Sequence, residues 1–157
     1  MTGKYYPIDE EAAKRAQAMW SFRDYVTGTK TKEYQRLVDE AYQLADDVAG
    51  RYPDRAESAY ILADKYAKKL ADNFNKDSHI NLRCPSVLIA GPANFPVRKK
   101  EQQVRALEKN YQEYNEIQKY LDRIRKLGSD DGIIRSSDTN AVGCRLWQTA
   151  FALLNYE

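Results

Sequence analysis

Residue types that carry most enzymatic chemistry are sparse in this chain of 157 residues, and none is spaced for it. The only histidine, His79, sits in Lys76-Asp77-Ser78-His79. Ser78 beside His79 makes no nucleophile–base pair, because neighbouring residues on a helix or strand point in different directions; His79 reads as a surface-loop residue. Cys84 and Cys144 lie sixty residues apart with no CxxC and no second Cys/His pair. A zinc site or a disulfide framework needs denser spacing, so they read as reduced thiols. HExxH, GxxxxGK[ST] and GxSxG are absent. The adjacent acids Asp46-Asp47 and Asp130-Asp131 are a common pattern of solvated helix faces and loops as much as of divalent-ion sites. The expectation is therefore no catalytic residue, no metal site and no cofactor.

One constellation remains, at the junction of residues 91–105. Pro96 suits the first turn of a helix, and Asn94 is a candidate cap before it. Arg98, Lys99 and Lys100 then fall in the first two turns. Positive charge there opposes the helix macrodipole at about 0.3–1 kcal/mol per residue. A bound anion reverses that sign, since free N–H groups and cations together make an anion site. Asn94, Arg98, Lys99, Lys100, Arg105 and Lys109 are accordingly the candidate anion, nucleic-acid or partner contacts, with Tyr120, Arg123 and Arg125 as weaker ones. The competing reading is a solvated helix start whose cations pair with Glu101 and Glu108. Residues 96–126 hold nine Lys/Arg and five Asp/Glu, a net of +4 within a chain whose total is +2, so the asymmetry is local to one helix. The twelve tyrosines offer rigid amphipathic contact area for interfaces or base stacking. Tyr111 and Tyr114, however, occupy core-stripe positions and read as packing.

The elements that must position this surface are helical. Asp9 caps a first helix, with Glu10 and Glu11 in its first turn. Ser21–Thr31 reads as a loop pinned to the core by Trp20, Phe22, Tyr25 and Val26. Thr31 is the expected cap of a second helix, whose Tyr34, Leu37, Val38, Ala41, Leu44, Ala45 and Val48 recur at three and four, ending at Gly50. Pro53 and Asp54 restart a third, to about Asn75, with Ala56, Ala59, Tyr60, Ala63, Tyr66, Ala67, Leu70 and Phe74 on one face. The short link makes the pair an antiparallel αα-hairpin, with alanines allowing close backbone approach. Residues 76–95 break the pattern, with Pro85, Pro92 and Pro96 falling between residues 81 and 96, and Val87–Ala90 is a buried strand or one helical turn. From Pro96, apolar positions Val104, Leu107, Tyr111, Tyr114, Ile117, Leu121, Ile124 and Leu127 support one basic helix of about 30 residues, ending at Gly128. The fold class is all-α: a helical bundle with this hairpin and one long basic helix. Residues 1–128 form the helical domain. Residues 129–157, an acidic loop and a final helix carrying Val142, Leu146, Trp147, Ala150, Phe151 and Leu154, pack on the same domain.

Composition agrees. Charged residues make up 31% of the chain with a near-balanced total, which favours a soluble protein without naming a partner. The longest apolar run, Val87-Leu88-Ile89-Ala90, is far short of the roughly 20 residues that span a bilayer. The polar start, Met1-Thr2-Gly3-Lys4-Tyr5-Tyr6-Pro7, lacks the apolar stretch of a signal peptide. A cytoplasmic protein without membrane contact is expected.

Several segments also carry a likeness: Tyr6-Pro7-Ile8-Asp9-Glu10-Glu11-Ala12-Ala13, Ser21-Phe22-Arg23-Asp24-Tyr25, Tyr66-Ala67-Lys68-Lys69-Leu70-Ala71, Pro85-Ser86-Val87-Leu88-Ile89-Ala90-Gly91 and Asn94-Phe95-Pro96-Val97-Arg98-Lys99-Lys100-Glu101. Together they resemble an uncharacterised N-terminal region of proteins carried by phages and plasmids of gut Firmicutes. The likeness covers about residues 5–135 and is strongest over 85–103; from Gly143-Cys144-Arg145-Leu146-Trp147 onward the chain departs from it. The resemblance implies a mobile genetic element acting in a host bacterial cell. The chain is also similar to anti-CRISPR proteins that act on a type II-A Cas9, which implies a Cas9–guide complex as the partner. Such a nuclease offers a nucleic-acid channel and a surface that reads a short flanking motif. DNA or RNA bound directly, by an accessory protein of phage or plasmid, is the alternative. A scaffold whose long helix makes a homodimer is another.

Overall fold

The computed structural model describes residues 3–129, and all regular structure among these is helical, with no strand. Five helices follow in order: α1 (Glu10–Ala18), α2 (Thr29–Arg51), α3 (Ala56–Asn81), the single turn α4 (Val87–Ala90) and α5 (Val97–Leu127). The all-α bundle is thus as expected, and Val87–Ala90 resolves to the helical turn. The acidic loop beyond Ser129, Asp130-Asp131, Cys144 and the final helix lie outside the described residues.

Helix α3 is the centre, with α1, α2 and α5 all packed against it. Its alanine-rich face explains why. Ala59, Ala63 and Ala67 are fully buried against Ala41 and Ala45 of α2, so two backbones approach with little side chain between them. Tyr34, Val38, Tyr66 and Leu70 fill the remaining core. The hairpin turn is a short 3-10 segment, Pro53–Arg55, in which proline supplies a preset φ. Gly50 does not end α2; it stays helical and the helix runs to Arg51. Helix α3 likewise continues past Asn75 to Asn81, which places His79 in its last turn, 3.4 Å from Asp9, and not in a loop.

The N-terminal arm lies across α2 and α3 and consumes much of the tyrosine. Tyr34, buried between the helices, accepts from the Tyr6 amide at 3.0 Å and donates to the Ala67 carbonyl at 3.0 Å. Tyr6 donates to Asp64, Tyr5 to Asp39, and Asn75 holds both the Pro7 carbonyl and the Asp9 amide. Burial pushes the Tyr34 hydroxyl up to about 12, which keeps it a neutral donor at ordinary pH. Tyrosine here joins segments of one chain more than it offers area to a partner.

Asp9 caps α1 as expected, its carboxylate accepting from the Ala12 amide at 2.8 Å. Helix α2, however, is not capped by Thr31. It starts at Thr29, behind Gly28 at φ 90, and its free amides are satisfied by a residue from α1. The Glu10 carboxylate accepts from the Thr31 amide (2.7 Å), the Thr31 hydroxyl (2.6 Å), the Gly28 amide (3.0 Å) and the Tyr25 hydroxyl (2.7 Å). An anion at a helix N-terminus is favoured by the dipole, and here the protein supplies its own. Of the loop aromatics only Tyr25 is held in this way. Trp20, Phe22 and Val26, expected to pin the loop, are 53, 82 and 72% exposed.

Partial burial raises the Glu10 carboxyl, but the hydrogen bonds from Thr31, Tyr25 and Gly28 outweigh it and pull it down to about 2. A carboxylate depressed in the folded state contributes stability that is complete above its unfolded value near 4.5 and is lost as pH falls through about 2. The expected contribution, discounted for partial exposure, is about 1–2 kcal/mol. Glu10→Gln is expected to lower the unfolding free energy at neutral pH by about that amount and to flatten the loss of stability across this acid window; urea unfolding at a series of pH values measures both.

Candidate binding surface on the long helix

Helix α5 forms because no glycine or proline interrupts residues 97–127, and it is entered through a turn. Gly91 at φ 77 and Asn94 at φ 57 reverse the chain, and Pro96 at φ −77 sets the helix start. Asn94 is therefore a turn residue and not a cap: no side chain caps α5. It is exposed and in the left-handed region that asparagine tolerates.

The inner face of α5 changes character along its length. Its C-terminal half buries Ile117, Leu121, Ile124 and Leu127. Its N-terminal half buries Gln103 and Asn110, only 1 and 4% exposed. Gln103 donates through Nε2 to the carbonyls of Ile80, Asn81 and Cys84 at 3.0–3.1 Å, at the end of α3 and in the turn after it. Asn110 and Asn73 exchange bonds through their amides: Asn73 Nδ2 donates to the Asn110 side chain at 3.0 Å and to its carbonyl at 2.9 Å, and Asn110 Nδ2 returns to the Asn73 carbonyl at 3.3 Å. Lys76 and Glu113, 2.7 Å apart, bridge the same two helices at the surface.

Sequence periodicity misplaced this face. Val104 and Tyr111, expected in the core, are 43 and 66% exposed; Tyr114 and Leu107 are half-buried. The buried positions 103, 110, 117 and 124 form a strict seven-residue repeat, but its first two members are amides. A hydropathy pattern cannot register an amide whose partners are supplied by another helix. The detectable signal was the repeat itself, with polar residues in half its sites.

The six candidate contacts do not act alike. Lys100 turns inward: its Nζ donates to Gln103 Oε1 at 2.7 Å. Because α3 and α5 run antiparallel, the start of α5 lies beside the carbonyl end of α3. The Lys100 charge thus meets the negative end of a neighbouring dipole and is structural. Arg98, Lys99, Arg105 and Lys109 are exposed, with no ion pair among the described residues, and α5 has no acid in its first turn. The alternative in which Glu101 and Glu108 neutralise them is not what the structure adopts. Arg98, Arg105 and Lys109, seven and four residues apart, share one side of the helix. Between the cations lies a shallow groove of about 450 Å³ lined by Phe95, Val97, Lys100, Glu101, Val104, Arg105 and Glu108.

The weaker candidates belong elsewhere. Arg123 stacks over Tyr120 with its guanidinium 5.2 Å from the ring centre, and Arg125 pairs with Asp122 at 2.9 Å. They sit about 40 Å along the helix from Arg98 and form no common patch with it. That end of α5 is anchored by Arg55, which donates to the Leu127 carbonyl at 2.9 Å. Among the described residues no cluster of three or more His, Cys, Asp or Glu has metal-binding geometry, and no helix is long and apolar enough to cross a membrane.

Gln103→Leu keeps the volume but strands the carbonyls at the end of α3, with an expected loss of about 1–3 kcal/mol of stability; Asn110→Leu, leaving Asn73 unpaired, is expected to cost a similar amount by the same urea measurement. In comparisons with known proteins the chain matches no family model, no curated protein and no solved structure.

Proposed function

We propose that this chain is a non-enzymatic binding protein of a mobile genetic element that inhibits a type II Cas9 by docking on the nuclease or on the nucleic acid it holds. The observation that carries the reading is the set of unpaired cations Arg98, Lys99, Arg105 and Lys109 on the first half of α5, at a helix N-terminus with no side-chain cap. Phosphates of a guide or target strand are the groups such a surface would meet best: Arg98 and Lys99 beside free N–H groups, Arg105 and Lys109 about two and three turns further along. The sequence likeness, strongest over residues 85–103, supports the mobile-element origin, and the similarity to anti-CRISPR proteins supports the choice of target. Lys100 takes no direct part; it holds Gln103, and through it the join of α3 and α5.

A second reading, direct binding of free nucleic acid by an accessory protein, draws on the same cations. A duplex titration against salt separates the two. Four phosphate contacts give a slope of log affinity on log salt of about −3 to −4.

The test is a cleavage assay with Cas9–guide complex, together with co-elution on a sizing column. The expected result is loss of cleavage and a shared peak, with the double variant Arg98→Glu, Lys99→Glu weakening binding by about tenfold or more. Complete cleavage at a large molar excess of the protein would overturn the Cas9 reading. Unchanged binding by the double variant would remove the cationic surface from it.

A further inference from the structure

The outward side of α5 carries a second feature that anion binding leaves idle. Val97, Val104 and Tyr111 repeat at seven residues and are 58, 43 and 66% exposed. They form an apolar stripe about 21 Å long on the half of the helix whose inner side is polar. A helix that buries its amides and exposes its valines is inverted relative to a solvated surface helix. Such a stripe, at the seven-residue spacing of a paired helix, is what a packing seam requires.

Its charged border says what packs there. Along one edge run Arg98, Glu101, Arg105 and Glu108, alternating in sign, and none of the four makes an ion pair within the described residues. Read backwards, the alternation is its own complement. When a second α5 is laid antiparallel, residues whose numbers sum to 206 come level. Arg98 then faces Glu108 of the second copy and Glu101 faces Arg105, twice over by symmetry. Within two residues of that register, about 3 Å along the helix, the two Val104 side chains meet near the axis and each Val97 lies across from the other Tyr111.

From this complementarity we infer that the outer stripe of α5 is a self-association seam, where a second copy of this chain packs antiparallel about a two-fold axis. Its short length makes it a weak interface, formed and broken reversibly with concentration. The inference does not require the proposed function, although the two surfaces share Arg98 and Arg105: Val97, Val104, Tyr111, Glu101 and Glu108 belong to the seam alone.

Sedimentation equilibrium of the full chain tests it. The mass is expected to rise from monomer to dimer with concentration, and Val104→Asp is expected to hold it at monomer while helical circular dichroism is unchanged. A variant with Glu101→Arg and Glu108→Arg has an all-positive edge and is expected to remain monomeric. One with Arg98→Glu and Arg105→Glu has an all-negative edge and is expected to remain monomeric alone. Mixed, the two are expected to form a heterodimer, which a merely destabilised fold would not do. Cross-linking of Arg98→Cys on one copy to Glu108→Cys on another reads the antiparallel register. A monomer mass for the unmodified chain up to millimolar concentration would overturn the proposal and assign the stripe to a different partner. So would failure of the two charge variants to combine.

Discussion

The orientation of α5 depends on one buried amide. Gln103 donates to the carbonyls of Ile80, Asn81 and Cys84, of which Ile80 also accepts from the Arg83 amide, and so joins α5 to the end of α3 and the turn after it. It is itself held by Lys100. A buried carbonyl without a donor is costly, so the rotation of α5 about its axis is fixed by where that amide must point. The Asn73–Asn110 exchange two turns on repeats the constraint. Everything on the outside of α5 follows: Arg98, Arg105 and Lys109 on one side, Val97, Val104 and Tyr111 on another. Polar contacts in a core contribute less to net stability than to choosing one packing over its neighbours.

Glu10 performs a related task at the same end of α3, where α1 and the start of α2 lie beside its last turns. A carboxylate from α1 occupies the N-terminus of α2, where a ligand anion would otherwise be favoured, and so ties α1, the exposed loop and α2 into one unit. Comparing the two helix starts is instructive. The start of α2 receives an internal anion, whereas the start of α5 receives none, only a lysine directed at α3. Of the cations whose placement at a dipole's positive end is unfavourable, Lys100 is explained by the neighbouring helix. Arg98 and Lys99 are not explained from within the described residues, and the proposed function rests on these.

Much of the fold was legible in the sequence because α2 and α3 bury plain apolar stripes. Tyr34, Val38, Ala41, Ala45 and Val48 face Ala59, Ala63, Ala67 and Leu70 at helical spacing, and the short Pro53 link leaves an antiparallel hairpin as the only arrangement. The start of α5 was legible too, from Pro96. What escaped was every feature made by polar groups acting across elements. Glu10 reads as a first-turn acid of α1, and nothing local to Thr31 says that its amide is served from twenty-one residues away. Gln103 and Asn110 read as surface residues, so the apolar stripe was drawn through Val104 and Tyr111 instead. Gly50 read as a stop because glycine tolerates positive φ, yet it stays helical and α2 runs one residue further, to Arg51. The candidate site was thus found at the right helix start, with one cation, Lys100, and one cap, Asn94, assigned roles they do not have.

A single geometric feature joins sequence to function: the first half of α5 turns its amides in and its valines, tyrosine and arginines out. The most direct measurement is the thiol-labelling rate of paired cysteine variants at neighbouring positions, Asn110→Cys and Tyr111→Cys, in dilute solution with Cys84 and Cys144 replaced. The account predicts labelling at Tyr111→Cys as fast as in an unfolded peptide and protection at Asn110→Cys that is lost only on unfolding. Protection at position 111 with rapid labelling at 110 would show the helix rotated the other way, and the surface described on it would not exist.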